Sequence, residues 1–328
     1  MRPLGGGGVD LSSPRSIEGP LEVGLDAGSP SLWIQTVLYR PADGAVDRFL
    51  RGLRAATSLA RSRGWFRSIT VAMGDCSPVK VIPYGRDDEM AADLAPYGID
   101  RFAYRFFNEN LGSAGGHNAL LTEYDGDLVL IVNPDVYISP DIFSPLLRGL
   151  DTPQVGIVEA RQIPLEHPKS FDPQTGDTSW ASTACALVRS EVIADTGGFD
   201  ATSFFLYCDD VDFSWRARLA GWQIVHQPAA RVFHDKRLTR DAHVEVGAAE
   251  LYYSAEASLL MAWKFSRPDL VERWSDDLSA TGSPEHQRAV DSFRRRRLDG
   301  TLPSPLDPDH RVSQFFGYGY AEPRFSYA

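Results

Sequence analysis

The chain has 328 residues, 43% of them hydrophobic, with a formal net charge of −11; at about 150 residues per domain this corresponds to about two domains with full apolar cores. The acidic balance excludes a nucleic-acid binder that works by wholesale phosphate neutralisation, so an anionic ligand needs locally placed help. Cys76, Cys185 and Cys208 have neither metal-ligand spacing nor a paired framework, which predicts a reducing, cytoplasmic compartment.

Residues 1–30 are rich in Gly, Ser and Pro, lack an apolar core of signal-peptide length, and read as a flexible tail. Order is expected from Ser31. The apolar, β-branched and aromatic run 32–39 predicts a buried strand, and Val46, Phe49, Leu50, Leu53, Ala56 and Ala60 recur at helical spacing over 45–61. A second strand over 68–73 ends in the turn-like Gly74-Asp75-Cys76-Ser77-Pro78, completing a strand-helix-strand unit. The pattern repeats with a strand over 102–107, a glycine-rich loop over 110–116, a helix over 117–124 and the continuous apolar strand Leu128–Val132. Such alternation predicts an α/β fold, a mostly parallel, Rossmann-like sheet flanked by helices, with its ligand crevice beyond the carboxyl ends of the strands.

A strand is also expected over 230–233. After Lys236 a long helical pattern through Ala248, Leu251, Tyr252, Ala255, Leu259, Leu260, Trp263 and Phe265 predicts a C-terminal helical region, 237–328. Its final stretch, from Pro303, is either a packed extension or a mobile lid. No segment approaches the roughly 20 apolar residues of a membrane span, so membrane contact is expected to be peripheral at most. Arg294–Arg297 reads as a solvated helix end paired with nearby acids rather than a headgroup contact.

The densest chemistry is Phe204-Phe205-Leu206-Tyr207-Cys208-Asp209-Asp210-Val211-Asp212, three carboxylates within four positions after an aromatic run. Like charges this close raise one another's pKa and apolar neighbours desolvate them, which suits a general base or a cation site. Asp135 follows an apolar strand at a proline-containing turn, where an aspartate also serves as an ordinary turn former. With His234 at the end of its own strand, it offers the carboxylate and imidazole that suit Mn²⁺ or Mg²⁺. The 110–116 glycines fit neither the dinucleotide fingerprint nor the phosphate loop ending in Gly-Lys-Ser/Thr, which argues against a dehydrogenase or an ATPase.

Six segments in order, TVLYR (36–40), GDCSP (74–78), NENLGSAGGHN (108–118), LVLIVNPDV (128–136), GGFDATSFFLYCDDVDFSWRARLAGW (197–222) and RVFH (231–234), make residues 31–240 resemble the family 2 glycosyltransferases of the GT-A fold, particularly rhamnosyltransferase-like members. The resemblance implies a catalytic domain over 31–236, a dTDP- or UDP-linked sugar donor with rhamnose favoured, a divalent cation (Mn or Mg), and transfer with inversion to a glycan or lipid-linked glycan. Asn133-Pro134-Asp135 matches the family's Asp-x-Asp motif, with asparagine in place of the first aspartate; Asp135 is then the metal ligand and His234 completes the metal or diphosphate site. Thr36, Tyr39, Arg40, Asn110, Gly112, Gly116, Asn118 and Asn133 are expected near the nucleotide sugar. Asp75 matches the aspartate that contacts the base, with Asp75-Cys76 in place of the usual Asp-Asn pair.

Asp209-Asp210 matches the family's Glu-Asp pair, which makes Asp210 the general base toward the acceptor hydroxyl. Asp209 and Asp212 are implied to hold acceptor hydroxyls or to anchor the following helix, with Arg216 placed to pair with Asp212. Trp180, Ser182, Thr183 and Phe199 correspond to acceptor-side residues, although Phe199 also reads as packing beneath its loop. Related chains often carry an arginine where this one has Tyr253-Ser254-Ala255-Glu256, so C-terminal contacts do not transfer. Two other functions compete: a nucleotidyltransferase, which needs basic residues that the glycine-rich loop lacks, and a non-catalytic nucleotide-sugar or glycan-binding homologue. A homo-oligomer is left open.

Overall fold

The computed structural model describes residues 28–235 and 246–324; nearly all of the expected N-terminal tail and the expected boundary at Lys236 lie outside these residues. In chain order the elements are β1 (Ser31–Leu38), α1 (Ala45–Ser62), β2 (Ser68–Asp75), α2 (Arg86–Leu94), β3 (Arg101–Phe106), α3 (Gly112–Leu121), β4 (Leu128–Val132), β5 (Val136–Ile138) and α4 (Phe143–Gly149). There follow β6 (Val155–Ile163), β7 (Cys185–Arg189), α5 (Ser190–Thr196), α6 (Asp209–Leu219), β8 (Gln223–His234), α7 (Ala248–Lys264), α8 (Pro268–Ala280) and α9 (Pro284–Leu298).

The eight strands form one sheet in the order β3-β2-β1-β4-β7-β6-β8-β5. Strands β3, β2, β1 and β4 are parallel, as is the β6–β8 pair. The sheet is mostly parallel, as expected, but its other half is mixed: β7 runs against both β4 and β6, and β5 runs against β8. The cause lies in the connection, because 164–184 contains no helix and returns the chain without the crossover that parallel neighbours require.

Residues alternate along β1 between two cores. Leu32 and Ile34 pack with Phe49 and Leu53 of α1 and with Phe143 and Leu147 of α4; Trp33 packs on the opposite face with Ile131, Phe213 and Ala114. A strand covered on both faces therefore reads as continuously apolar. A third core joins α6 to α7, α8 and α9 through Trp215, Phe265, Trp274 and Phe293. Lys264 at the end of α7 is 4% exposed and bridges Asp200 at 2.7 Å and Asp212 at 2.5 Å. The helical region is thus tied to the sheet domain by buried charge as well as apolar packing.

The glycine-rich segment is largely helix rather than loop, since α3 begins at Gly112. Two of its glycines are explained by packing. A Cβ on Gly116 would lie 2.7 Å from Val37, and one on Gly112, whose φ is +69°, would lie 2.1 Å from the Phe205 carbonyl oxygen. The glycines let α3 approach β1 and the loop before α6 closely. The terminal stretch packs rather than hanging free: Ser170 N donates to Glu322 O at 2.7 Å and Arg324 N to Pro168 O at 2.8 Å.

Candidate active site

The parallel register of β1, β2 and β4 puts their carboxyl ends on one edge of the sheet; Tyr39 and Arg40 follow the end of β1 in sequence, and Asn133 and Asp135 that of β4. Antiparallel pairing of β5 with β8 sets His234 opposite Val136, and so beside Asp135: His234 Nε2 and Asp135 Oδ1 are 3.3 Å apart. The other ring nitrogen, Nδ1, lies 2.7 Å from Gln162 Oε1, an acceptor, and donating to it fixes the ring; in the neutral tautomer that does so, Nε2 is the atom open to a cation shared with the carboxylate. Two adjacent oxygen or nitrogen ligands of a small octahedral cation stand about 3 Å apart, so this pair fits a divalent ion. Among the described residues no group of three or more His, Cys, Asp or Glu side chains is placed to hold a metal.

Next to this pair lies a cavity of about 680 Å³, lined by Asn133, His234, Trp180, Thr183, Asp209 and Asp210 among others. Asp135 opens on a neighbouring hollow of about 450 Å³, and His234 borders both. The carboxylate cluster enters the cavity through a strained turn. Tyr207 and Cys208 both have left-handed backbones, φ 67° and 56°, a conformation that costs on the order of 1–3 kcal/mol per non-glycine residue and is retained mainly at working sites. The turn delivers Asp209 and Asp210 as the first residues of α6, where unpaired backbone N–H groups favour negative charge.

Burial, followed by the neighbouring Asp209, pushes the Asp210 carboxyl up to about 7, against the lowering effect of Lys169. Burial likewise raises Asp209 to about 6, while the Ser113 hydroxyl opposes the shift. Asp209 Oδ2 is buried without a hydrogen-bond partner among the described residues, and so is Trp180 Nε1. Both residues border the cavity, and each keeps one buried polar atom without a partner there, an acceptor and a donor. A carboxylate poised near neutrality takes a proton from a hydroxyl most effectively close to the working pH. Turnover should accordingly rise with pH through about 7 as Asp210 loses its proton; an initial-rate profile flat from about pH 5 to 9 would remove Asp210 from this role.

Several expected site residues have other tasks. Asp75 is fully buried and its carboxylate accepts from Ser77 N, Val81 N and the Tyr104 hydroxyl, so it organises the turn after β2 instead of facing the crevice. Thr36 is fully buried inside β1. The Asn118 side chain exchanges hydrogen bonds with the Phe199 backbone at 2.7 and 2.9 Å, latching α3 to the 197–199 loop. Asp212 points away from the cavity: it is fully buried between Arg216, at 2.7 Å, and Lys264. The Arg216 pairing is as expected. Phe199 stacks on Phe213 at 4.8 Å, as packing beneath the loop requires. Asn110 accepts from Gly112 N at 3.2 Å and shapes the start of α3.

The structure adds groups that no spacing announced. Lys169 is 5% exposed; its ammonium meets Glu159 at 2.7 Å, donates to Trp180 O at 2.6 Å, and sits 3.8 Å from the Trp180 ring centroid. Burial would raise the Glu159 carboxyl, but Lys169 and His226 together hold it at about 2. The C-terminal residues Phe316, Tyr318 and Tyr320 complete the cavity wall, and the Tyr320 hydroxyl lies 3.2 Å from Cys208 Sγ. Lys169 falls in an aperiodic segment, and the aromatic richness of 315–320 was the only sequence signal for the wall.

No family model matches the chain. Among curated proteins it is similar to the N-acetylglucosaminyl-diphospho-decaprenol L-rhamnosyltransferase of Mycobacterium tuberculosis, 28% identical over 241 residues that cover 62% of this chain and 75% of the relative. It is also similar to the pre-mycofactocin glycosyltransferase of the same species, 30% identical over 145 residues, 38% of this chain and 30% of the relative. Among solved structures, a mannosyltransferase from Pyrobaculum calidifontis in complex with GDP-Man and Mn²⁺ superposes with a TM-score of 0.53 at 14% identity, over 88% of this chain and 85% of that one. TarS of S. aureus in complex with UDP-GlcNAc gives 0.53 at 12% identity, over 83% and 84%. No helix among the described residues is long and apolar enough to cross a membrane. The chain is a glycosyltransferase of the GT-A fold, similar to the rhamnosyltransferase-like members of family 2.

Proposed function

We propose that the chain moves a sugar, rhamnose first, from a dTDP- or UDP-linked donor to a hydroxyl of a glycan or glycolipid acceptor, with inversion at the anomeric carbon. One observation carries this: Asp210 lines the same cavity as Asn133 and His234, so a base and a diphosphate-side edge face one space. The similarity to a rhamnosyltransferase named for a decaprenol-diphosphate-linked sugar supports the choice of sugar and the acceptor class. In the proposed step Asp210 takes the proton of the acceptor hydroxyl. That oxygen bonds to the anomeric carbon as the bond to the diphosphate oxygen breaks, and the nucleoside diphosphate leaves from the opposite face.

Asp135 and His234 are the groups that would hold a divalent cation, which when bound would supply charge neutralisation for the diphosphate. The fixed His234 ring, the 3.3 Å separation and the solved relative with Mn²⁺ support that assignment. Tyr39, Arg40 and Asn133 stand at the nucleotide edge.

A screen of acceptor-free donor hydrolysis across nucleotide sugars tests the function, because activated donors leak slowly to water. Hydrolysis of a dTDP- or UDP-sugar, rhamnose fastest, is the expected result; no hydrolysis or transfer with any donor would sink it. Calorimetric titration with nucleoside diphosphate should show binding that strengthens with Mn²⁺, and Asp135→Ala should lose that gain by roughly 10–100-fold. Binding indifferent to both the metal and the substitution would dismiss the cation.

A further inference from the structure

The lining of the cavity continues past the base onto α7, His286 of α9 and the C-terminal stretch, and its volume of about 680 Å³ is more than a single sugar ring fills; the end bounded by these elements is its second lobe. Glu250, Ser254 and Ser258 of α7 line it, at spacings of four residues that place them on one helix face over about 12 Å. Phe316 and Tyr318 face the same space. Tyr318 is held rigid, stacked on Trp274 with centroids 5.2 Å apart and donating its hydroxyl to Asp277 at 2.7 Å.

The hydrogen-bonding character of the α7 face of this lobe is one-sided. Ser254 gives its proton to Glu250 O at 2.6 Å and Ser258 to Ala255 O at 2.8 Å, so both hydroxyl oxygens keep only lone pairs for a ligand. With the Glu250 carboxylate they form a row of acceptors. Phosphate oxygens are acceptors too and carry charge, so a diphosphate is repelled here; sugar hydroxyls, which donate, are matched. Aromatic faces beside such groups suit the C–H surface of a pyranose ring.

We infer that this lobe is a second acceptor subsite, taking an uncharged sugar ring next to the one that receives the transferred sugar, so that the preferred acceptor has at least two sugar residues. The inference rests on the transferase function proposed above, and the test separates the two. With the full chain and the donor that it hydrolyses, kcat/KM is measured for octyl glycosides of one and of two neutral sugars sharing the same non-reducing residue. The two-sugar acceptor should be used roughly tenfold better, through KM. Glu250→Gln and Phe316→Ala, at partly exposed positions that tolerate substitution, should bring that ratio toward one. Donor hydrolysis with a ratio of one in the unmodified chain, or a ratio that neither variant moves, would overturn the subsite alone. Absence of donor hydrolysis would instead remove the proposed function beneath it.

Discussion

Asp210→Asn should lower transfer by about 10²–10⁴-fold, the range by which a positioned base contributes, while donor affinity stays within about twofold because the diphosphate edge is untouched. Asparagine keeps the shape of the side chain and cannot take the proton. The same variant should be more stable than the unmodified chain at pH 8. Burial and Asp209 raise Asp210 to about 7 in the folded chain, above the roughly 3.9 of an unfolded aspartate. Between those values the folded state binds more protons than the unfolded one, so this group's contribution to stability falls as pH rises. Removing the charge removes that loss above pH 7, and the gain should vanish below about pH 4. Parallel rate and thermal-melting measurements check both halves. Near-normal transfer by the variant would assign the proton to another residue, and an unchanged melt at both pH values would contradict the raised Asp210 carboxyl.

Lys169→Met should destabilise the fold by about 3–5 kcal/mol, the cost of leaving one partner of a buried pair uncompensated. Glu159 is 3% exposed and would keep only His226, at 3.2 Å, and the Ser182 N–H, at 3.0 Å. The Trp180 carbonyl would lose its ammonium donor. Glu159→Gln combined with Lys169→Met should recover much of the loss, since no buried charge is then stranded. Lys169 also lowers Asp210, so whatever activity Lys169→Met retains should have its acid limb at higher pH. Urea unfolding curves and pH–rate profiles of the two variants and the unmodified chain decide the matter. A Lys169→Met chain as stable as the unmodified one would mean that this ion pair contributes nothing to the fold.

Much of the sheet was legible because its strands obey simple patterns. The run Leu128–Val132 is a strand with the bounds read from its apolar continuity, and β1, β2, β3, α1 and α7 differ from expectation by only a few residues. The antiparallel half was not legible. Nothing local in Cys185–Arg189 distinguishes a strand inserted against its neighbours from one inserted along them, since either is covered on both faces. Gly112 and Gly116 are expected near the nucleotide sugar from the order of motifs; their close approach to Phe205 and Val37, which gives the same residue type a second task in packing a helix, has no local signature.

The order of motifs along the chain was enough to identify the fold, the catalytic pair Asp209-Asp210 as a candidate, and the partnership of Asp135 with His234, because strand ends in such a sheet converge on one edge. Which carboxylate does what was left to the folded molecule. Successive residues on a helix point about 100° apart, so Asp209, Asp210 and Asp212 cannot all face one cavity, and the direction each takes depends on what packs against α6. Lys264, 52 positions further along in sequence, draws Asp212 inward. Phe316, Tyr318 and Tyr320 close the other side of the space that Asp210 lines. Contacts between such distant, aperiodic positions leave no local pattern to read.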